Sequence, residues 1–281
     1  MNGLSNIKIS QLAKTTCNLG EGILFSKDYL VLAWVDILNK YIFTHNLKTK
    51  ITKAYKTKYH PSCIIKIDNT KFTYLDSEGI SILNTFDNSY AQLKEVPDLS
   101  TNKNIRANDG VIVGEKIFFG SMHYNPSKKK KGCVYLYENK KLIKLDEAII
   151  PNSFIPFNKK IIISDSFKKV IYQYDLSSHN KKVWLDLSSE NHTPDGGCLT
   201  PDNTILLCMW GSGCINEYSL RGELLNSFEV PAKNPTNCCF IDNNKIAVTS
   251  AAIECERNDL KKWPLSGKTM IIEFRNDKKN N

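Results

Sequence analysis

The sequence predicts an all-β fold, a six-bladed β-propeller formed by a single domain over residues 1–281. Three observations lead to this prediction: short apolar strands recur, polar turns separate them, and one spare strand precedes the first repeat. The repeats start their first strands at positions 23, 63, 108, 153, 198 and 238, which gives spacings of 40, 45, 45, 45 and 40 residues. A period of about 40–45 residues with three or four short strands per unit is typical of propeller blades.

The internal order of the repeats is constant. In the first repeat, apolar residues 23–25 precede a polar turn at 26–28, a second apolar run at 30–35 and a third at 41–43. The strands are rich in β-branched and aromatic residues, as expected for a sheet. An all-β sandwich or barrel with the same spacing by coincidence is the alternative, and six nearly regular copies argue against it. A short polar helix is the most that we expect around residues 254–262.

The two ends of the chain predict how the ring closes. The last repeat ends on a strand at 270–274 and lacks a following strand, whereas a spare strand at 7–12 precedes the first repeat. A propeller avoids an exposed sheet edge by closing its ring. We therefore expect the N-terminal strand to complete the last blade.

Charge and composition restrict the partners. The formal net charge is +9, but Lys and Arg are distributed along the chain rather than concentrated on one element with stacking aromatics. That distribution argues against a nucleic-acid partner. The one sharp basic run, residues 128–131, is interpreted as a solvated hairpin tip, and a weak attraction for anionic substrates or nucleic acid is the alternative. A small-molecule partner remains the default.

The nine cysteines and the N-terminus predict the compartment. The cysteines are scattered and none stands in a C-x-x-C pair, so we expect nine reduced, mostly buried thiols. Residues 1–16 lack the apolar segment and cleavage site of a signal peptide. No apolar stretch approaches the ~18 residues of a membrane span. These features predict a cytoplasmic protein that does not insert into a membrane.

Polar residues precede the first strand of most repeats, at the position that lies near the central axis of a propeller. Carboxylates that face one another repel unless a cation or a proton compensates them. Carboxylate and amide oxygens without His or Cys suit a hard divalent ion. Taken singly, each residue is more typical of a turn, and only their shared phase in the repeat favours a site. The residues are Glu21, Pro61-Ser62, Asn108-Asp109, Asn152, Asp195 and Thr236-Asn237.

Several short motifs, in order over residues 17–252, resemble the gluconolactonase, regucalcin and senescence-marker-protein family. They are Leu19-Gly20-Glu21-Gly22 with Trp34-Val35-Asp36-Ile37, Arg106-Ala107-Asn108-Asp109-Gly110 with Gly120-Ser121-Met122, Pro194-Asp195-Gly196 with Met209-Trp210-Gly211, and Thr236-Asn237-Cys238-Cys239-Phe240 with Val248-Thr249-Ser250-Ala251. The resemblance implies a six-bladed propeller that hydrolyses sugar lactones with one divalent cation, such as Ca²⁺, Zn²⁺, Mg²⁺ or Mn²⁺.

The resemblance also implies residue roles. Glu21, Asn152 and Asp195 would bind the metal, and Arg106 and Asn108 would lie close to the substrate. Two positions depart from the family pattern: Ser153 follows Asn152 where the family usually has Gly, and Asn125 stands near the place of an acidic substrate contact in some members. These departures leave the identity of the sugar open.

The mechanism that we expect from these residues is hydrolysis of a cyclic ester. Arg106 and Asn108 would hold the ring hydroxyls or the carbonyl of the lactone by hydrogen bonds. The lactone carbonyl would also bind the metal directly. Asp195, part ligand and part general base, would accept the proton of water. His123 is a further candidate substrate contact at the mouth of the site, and His60 is similarly placed.

Two other functions fit the same residues. A metal-dependent phosphotriesterase could use this oxygen-donor set on the same scaffold. A calcium-binding or interaction propeller without catalytic activity is the alternative from another class, although binding propellers usually lack converging axial carboxylates.

Overall fold

The computed structural model describes residues 7–274, which form six four-stranded antiparallel sheets. Strand β1 (Ile7–Gln11) lies in the last sheet. The first three blades follow in chain order. Their strands are β2 (Gly20–Ser26), β3 (Val31–Asp36), β4 (Tyr41–Asn46) and β5 (Thr52–Lys56) in blade 1; β6 (Pro61–Asp68), β7 (Lys71–Asp76), β8 (Gly79–Asn84) and β9 (Ser89–Glu95) in blade 2; and β10 (Ile105–Val113), β11 (Lys116–His123), β12 (Gly132–Glu138) and β13 (Lys141–Ala148) in blade 3.

The remaining blades have the same plan. Their strands are β14 (Pro151–Phe157), β15 (Lys160–Asp165), β16 (Val170–Asp175) and β17 (Lys181–Asp186) in blade 4; β18 (Thr193–Leu199), β19 (Ile205–Trp210), β20 (Cys214–Tyr218) and β21 (Leu224–Glu229) in blade 5; and β22 (Asn234–Asp242), β23 (Lys245–Ala251) and β24 (Met270–Phe274) in blade 6. Two short helices, α1 (Pro97–Thr101) and α2 (Arg257–Lys262), connect strands.

The ring closes as predicted. Strand β1 pairs with β24 in antiparallel register, with Ile7 opposite Phe274 and Gln11 opposite Met270. The first strands of the blades surround the axis, and each contacts the next around a closed circle: β2, β6, β10, β14, β18, β22 and back to β2. The chain is therefore a six-bladed β-propeller with its last blade completed by the N-terminal strand.

The hydrophobic core is divided into six clusters, one between each pair of neighbouring blades. Trp34 of blade 1 lies in the cluster shared with Ala247 of blade 6, so the closing interface is packed like the other five. Burial of apolar surface is the main source of stability in such a fold. Because these clusters lie between the blades, the polar residues near the axis do not belong to the hydrophobic core.

The structure differs from the sequence expectation at the strand ends. The inner strands begin at residues 20, 61, 105, 151, 193 and 234, two to five residues before the predicted starts, because the polar axial residues belong to the strands. The outermost strands β5 and β17 have no buried residue: β5 leaves no apolar run in the sequence, and β17 contains only the short run Val183-Trp184-Leu185. Helix α2 lies within the expected segment, and α1 was not predicted.

Two further expectations concern the surface. Residues 128–131 lie in the connection between β11 and β12 and are exposed, as interpreted from the sequence. Within residues 7–274, no helix has the length and apolar character that a bilayer crossing requires.

Candidate active site

β-Bulges in the inner strands position the polar side chains that lie near the central axis. Each inner strand changes register against the second strand of its blade near the axial residues, and β6 and β22 change register a second time farther along. In β2 the shift lies between Glu21 and Leu24, and in β14 it lies between Asn152 and Ile155. A β-bulge bends its strand and re-aims the side chains beside it. The equivalent phase of these residues in the sequence repeat therefore corresponds to equivalent bulges around one axis.

Two of the bulges contain a residue with left-handed backbone. Gly22 has φ +52°, and a Cβ atom there would collide with the backbone of Cys63 in blade 2. Ser153 has φ +55° at the matching position after Asn152. Its hydroxyl donates to the backbone carbonyl of Asp195 and lies 3.1 Å from the hydroxyl of Ser164. These hydrogen bonds offset the strain of an L-residue in this region.

The three predicted metal ligands meet in one cavity. Glu21, Asn152 and Asp195 all line a cavity of about 470 Å³ at one mouth of the channel, which is within the usual size of a small-molecule site. Asn152 and Asp195 are 5% and 6% exposed, and the Asn152 Nδ2 donates to Oδ1 of Asp195. Three inner strands from blades 1, 4 and 5 thus bring together residues that are 174 positions apart at the extremes, from 21 to 195.

Burial, followed by repulsion between carboxyls, disfavours ionisation in this group. Burial raises the pKa of Glu21 well above its usual range, and the carboxyls of Asp195 and Asp109 raise it further. Burial likewise raises the pKa of Asp195, with a second contribution from Asp109. The amide of Asn152 and the guanidinium of Arg106 act in the opposite direction on Asp195. The site therefore favours a proton or a cation beside these carboxyls.

Asp109 is a third buried carboxyl that the sequence interpretation did not single out from Asn108. It accepts the backbone N–H groups of Gly110, at 2.8 Å, and of Phe154, at 3.2 Å. Burial raises the pKa of Asp109. Its side chain lines a second cavity farther along the channel, about 230 Å³ in volume, and does not line the mouth cavity.

The donor set fits a divalent cation. When ionised, the carboxylates of Glu21, Asp109 and Asp195 outnumber the guanidinium of Arg106 and leave two negative charges, which one divalent ion would balance. Carboxylate and amide oxygens are the ligands that hard cations prefer. Within residues 7–274 no three His, Cys, Asp or Glu side chains form a metal-ligand cluster, and the amide of Asn152 adds an oxygen donor beside Glu21 and Asp195 on the cavity lining.

Arg106 and Asn108 form the polar wall beside the carboxyls. Both line the mouth cavity and are buried. The Arg106 Nη1 donates to the Asn108 Oδ1 at 2.7 Å and to the Ala107 carbonyl at 2.9 Å, and the Asn108 Nδ2 donates to the Pro151 carbonyl at 3.0 Å. Burial lowers the pKa of Arg106, while Tyr124, Glu21 and Asp195 favour its charged form. The amide of Asn108 is thus fixed at both ends.

The structure separates His123 from the other predicted substrate contacts. His123 ends β11, opposite Ile105, and does not line the cavity; its neighbours Met122 and Tyr124 do. Successive side chains of a strand point to opposite sides, so a cavity reached by residues 122 and 124 excludes residue 123. Asn125 also lies outside the cavity lining.

An aromatic and aliphatic rim surrounds the polar floor. Tyr124 packs edge-on against His60, with ring centroids 5.8 Å apart, and lies 6.0 Å from the Arg106 guanidinium carbon. The sequence interpretation did not predict the rim because most of its members come from connections that have no repeat phase; Met122 and Trp210 lie in strands β11 and β19. The apolar lining residues are Leu19, Leu38, Met122, Tyr124, Pro126, Ile150, Phe167, Trp210 and Ile253.

Comparisons with known proteins agree with this geometry. The family described as "SMP-30/Gluconolactonase/LRE-like region" matches residues 19–252. Regucalcin from Danio rerio is 23% identical over 96% of this chain and 95% of its own length. Pentonolactonase XacC from Haloferax volcanii is 22% identical over 86% of this chain and 85% of its own length. A crystal structure of a calcium-binding protein, regucalcin, from Agrobacterium tumefaciens superposes with a TM-score of 0.86 at 22% identity and covers 94% of each chain.

Proposed function

The chain belongs to the SMP-30/gluconolactonase/LRE-like family, and we propose that it hydrolyses a sugar lactone to the aldonic acid with one divalent cation. The observation that carries the proposal is the convergence of Glu21, Asn152 and Asp195 at the floor of one cavity. The lactonase activity of a relative such as the pentonolactonase of Haloferax volcanii supports the reaction class. The excess of buried carboxyls supports the cation.

Glu21, Asn152 and Asp195 would hold the cation through oxygen atoms. A bound divalent ion supplies Lewis-acid polarisation of an ester carbonyl and lowers the pKa of water. These ligand positions would be preorganised, because the β-bulges fix the backbone beside each of the three residues. Ser153 contributes by donating its hydroxyl to the carbonyl of Asp195.

Arg106 and Asn108 bind and orient the lactone. Two acceptors hold the Nη1 of Arg106, and its other N–H groups remain for the ring oxygens or hydroxyls of a substrate. A guanidinium whose hydrogen bonds lie in a buried wall loses little freedom when a substrate binds. Asn108 cannot turn away, because its amide is held between Arg106 and Pro151.

Asp195 serves as the general base. Its carboxyl is buried beside the amide of Asn152, so it reaches the cavity floor where water would attack the ester. Burial and neighbouring carboxyls raise its pKa, which strengthens it as a proton acceptor once it is ionised. A positioned base of this kind contributes about 10²–10⁴-fold to a proton-transfer step.

A substrate panel tests the proposal. Acid release from hexono- and pentonolactones, measured with and without chelator and corrected for spontaneous opening, should show metal-dependent turnover. A p-nitrophenyl phosphotriester belongs in the same panel, because the donor set would also suit that chemistry. Turnover of the phosphotriester without lactone hydrolysis would replace the proposal, and calcium binding without turnover of either substrate would indicate a binding protein.

The matched control is Asp202→Asn, which makes the same chemical change on blade 5 as Asp195→Asn. Asp202 is exposed in the connection between β18 and β19 and does not line the mouth cavity. Its variant should keep full activity, so a loss confined to Asp195→Asn would reflect the site and not the removal of a carboxylate in general.

A further inference from the structure

Ser166 lies on the wall of the mouth cavity above the metal-binding floor. It follows β15, in which Asp165 pairs with Pro151 and Ser164 pairs with Asn152. The Ser166 N–H donates to the Ile150 carbonyl at 2.9 Å and extends the same register. Ser166 is thus two residues from the level of Asn152, or about 7 Å at the rise of a strand.

The hydroxyl of Ser166 is buried without a partner. The side chain lines the cavity and the residue is 5% exposed, yet its Oγ makes no hydrogen bond within the part of the chain that the structure describes. A buried polar group without a partner is destabilising, and native proteins rarely leave one. Because no partner in the described chain holds this hydroxyl, a rotation about the Cα–Cβ bond of Ser166 can turn it toward a molecule that enters the cavity.

The fold itself does not require this hydroxyl, as blade 1 shows. Asp36 accepts the backbone N–H groups of Asn18 and Leu19, just as Asp165 accepts those of Ile149 and Ile150. The next residue then donates its N–H to the preceding connection, at 3.0 Å in blade 1 and 2.9 Å in blade 4. That residue is a buried isoleucine at position 37 and a serine at position 166.

The surroundings fix the backbone at Ser166, whose N–H donates to the Ile150 carbonyl, and leave its hydroxyl without a partner. The carboxylate of Asp165 binds two backbone N–H groups of the preceding connection and lies 3.3 Å from the Lys168 ammonium. The neighbouring side chain, Phe167, lies on the same cavity wall and is 39% exposed. An unpartnered hydroxyl beside an exposed aromatic ring matches a sugar ring, which has hydroxyls on its edge and C–H groups on its faces.

We propose that the Ser166 Oγ binds a hydroxyl of the substrate while the Phe167 ring packs against its C–H face. The substrate is therefore a lactone that carries at least one hydroxylated carbon beyond the ester group. This inference rests on the proposed lactonase function, and it assigns a specificity residue rather than a catalytic one. The energy of one neutral hydrogen bond corresponds to about a 2- to 10-fold change in kcat/KM.

The test pairs Ser166→Ala with gluconolactone, its monodeoxy analogues and unsubstituted δ-valerolactone. The variant should lose about 2- to 10-fold in kcat/KM on gluconolactone, mainly through KM, and nothing on δ-valerolactone. On one deoxy analogue the wild type should already be weakened and the variant should add no further loss. An equal loss on every lactone, or no loss on gluconolactone, would overturn the proposal.

A matched control and a binding measurement complete the test. Thr15→Val removes another buried hydroxyl without a described partner; Thr15 lies between β1 and β2 and lines a different depression. It should leave all the kinetic constants unchanged.

Calorimetric titration with gluconate measures the subsite without turnover. Ser166→Ala should weaken gluconate binding by the same factor even if the wild type hydrolyses no lactone. Equal affinity of the wild type and the variant would refute the subsite, whereas absence of turnover with this difference intact would refute only the lactonase function.

Discussion

Replacing Asp195 by asparagine separates the two roles assigned to this side chain. The variant keeps an oxygen that can accept from the Asn152 Nδ2 and ligate a cation, but it cannot accept a proton as a general base. The substitution also removes one of the three carboxyls of Glu21, Asp109 and Asp195 that face one buried guanidinium, so with all of them ionised the negative excess falls from two charges to one. We therefore expect weaker metal binding together with a loss of turnover.

The expected size of the loss in kcat follows from the removal of the general base. At saturating metal the ligand defect is masked, and kcat of Asp195→Asn should fall about 10²–10⁴-fold. That range corresponds to roughly 3–5 kcal/mol of lost transition-state stabilisation. Because burial and Asp109 already disfavour the ionised Asp195, the chelated variant should be at least as heat-stable as the chelated wild type.

Glu21→Gln is the comparison that isolates the ligand role. It removes one carboxylate charge from the same floor and leaves Asp195 intact, so excess metal should restore most of its activity. The assay is initial-rate acid release over a metal titration for both variants. Near wild-type kcat for Asp195→Asn at saturating metal would refute the base role and leave Asp195 as a ligand only.

Four further predictions follow. The purified protein should contain about one divalent ion per chain by elemental analysis, and metal-free protein with full activity would contradict this. Arg106→Ala should chiefly raise KM in steady-state kinetics, and a pure kcat effect would place its interaction in the transition state. Ser153→Gly should change the free energy of unfolding by less than about 1 kcal/mol in urea titration, because relief of the positive φ offsets the lost hydroxyl bond. Mass spectrometry without reductant should find all nine cysteines reduced. Under added peroxide, the first disulfide should join Cys198 and Cys238, whose sulfurs lie 3.5 Å apart. A different first disulfide would show that this contact does not govern oxidation.

The repeat spacing predicted the ring because each blade contributes three strands with at least one buried, apolar face. The outermost strands carry little of that pattern. In β5, residues 53, 54 and 56 are exposed and none is buried, so the segment is similar to a polar connection in the sequence. Period-2 patterning requires one face in the core, and the periphery of a blade provides only a weak one.

The axial residues were predictable because each occupies one phase of the repeat. The sequence does not predict which of two adjacent polar residues faces the mouth of the channel, because the β-bulge determines the direction of each side chain. Asn108 lines the mouth cavity whereas Asp109 points along the channel to the amides of Gly110 and Phe154. The same limit applies to His123, which ends β11 and does not line the cavity, whereas Tyr124, one residue later, does.

Ser153 shows how the departure from the family pattern can be tolerated. A glycine after Asn152 would adopt φ +55° without strain, and a serine there costs about 1–2 kcal/mol. The serine hydroxyl recovers part of that energy by donating to the carbonyl of Asp195, one blade away. This bond ties the ligand strand of blade 4 to that of blade 5, a contact that glycine cannot make. The substitution therefore preserves the backbone that positions Asn152 while adding a link to Asp195, so the change from glycine to serine is compatible with the proposed metal site.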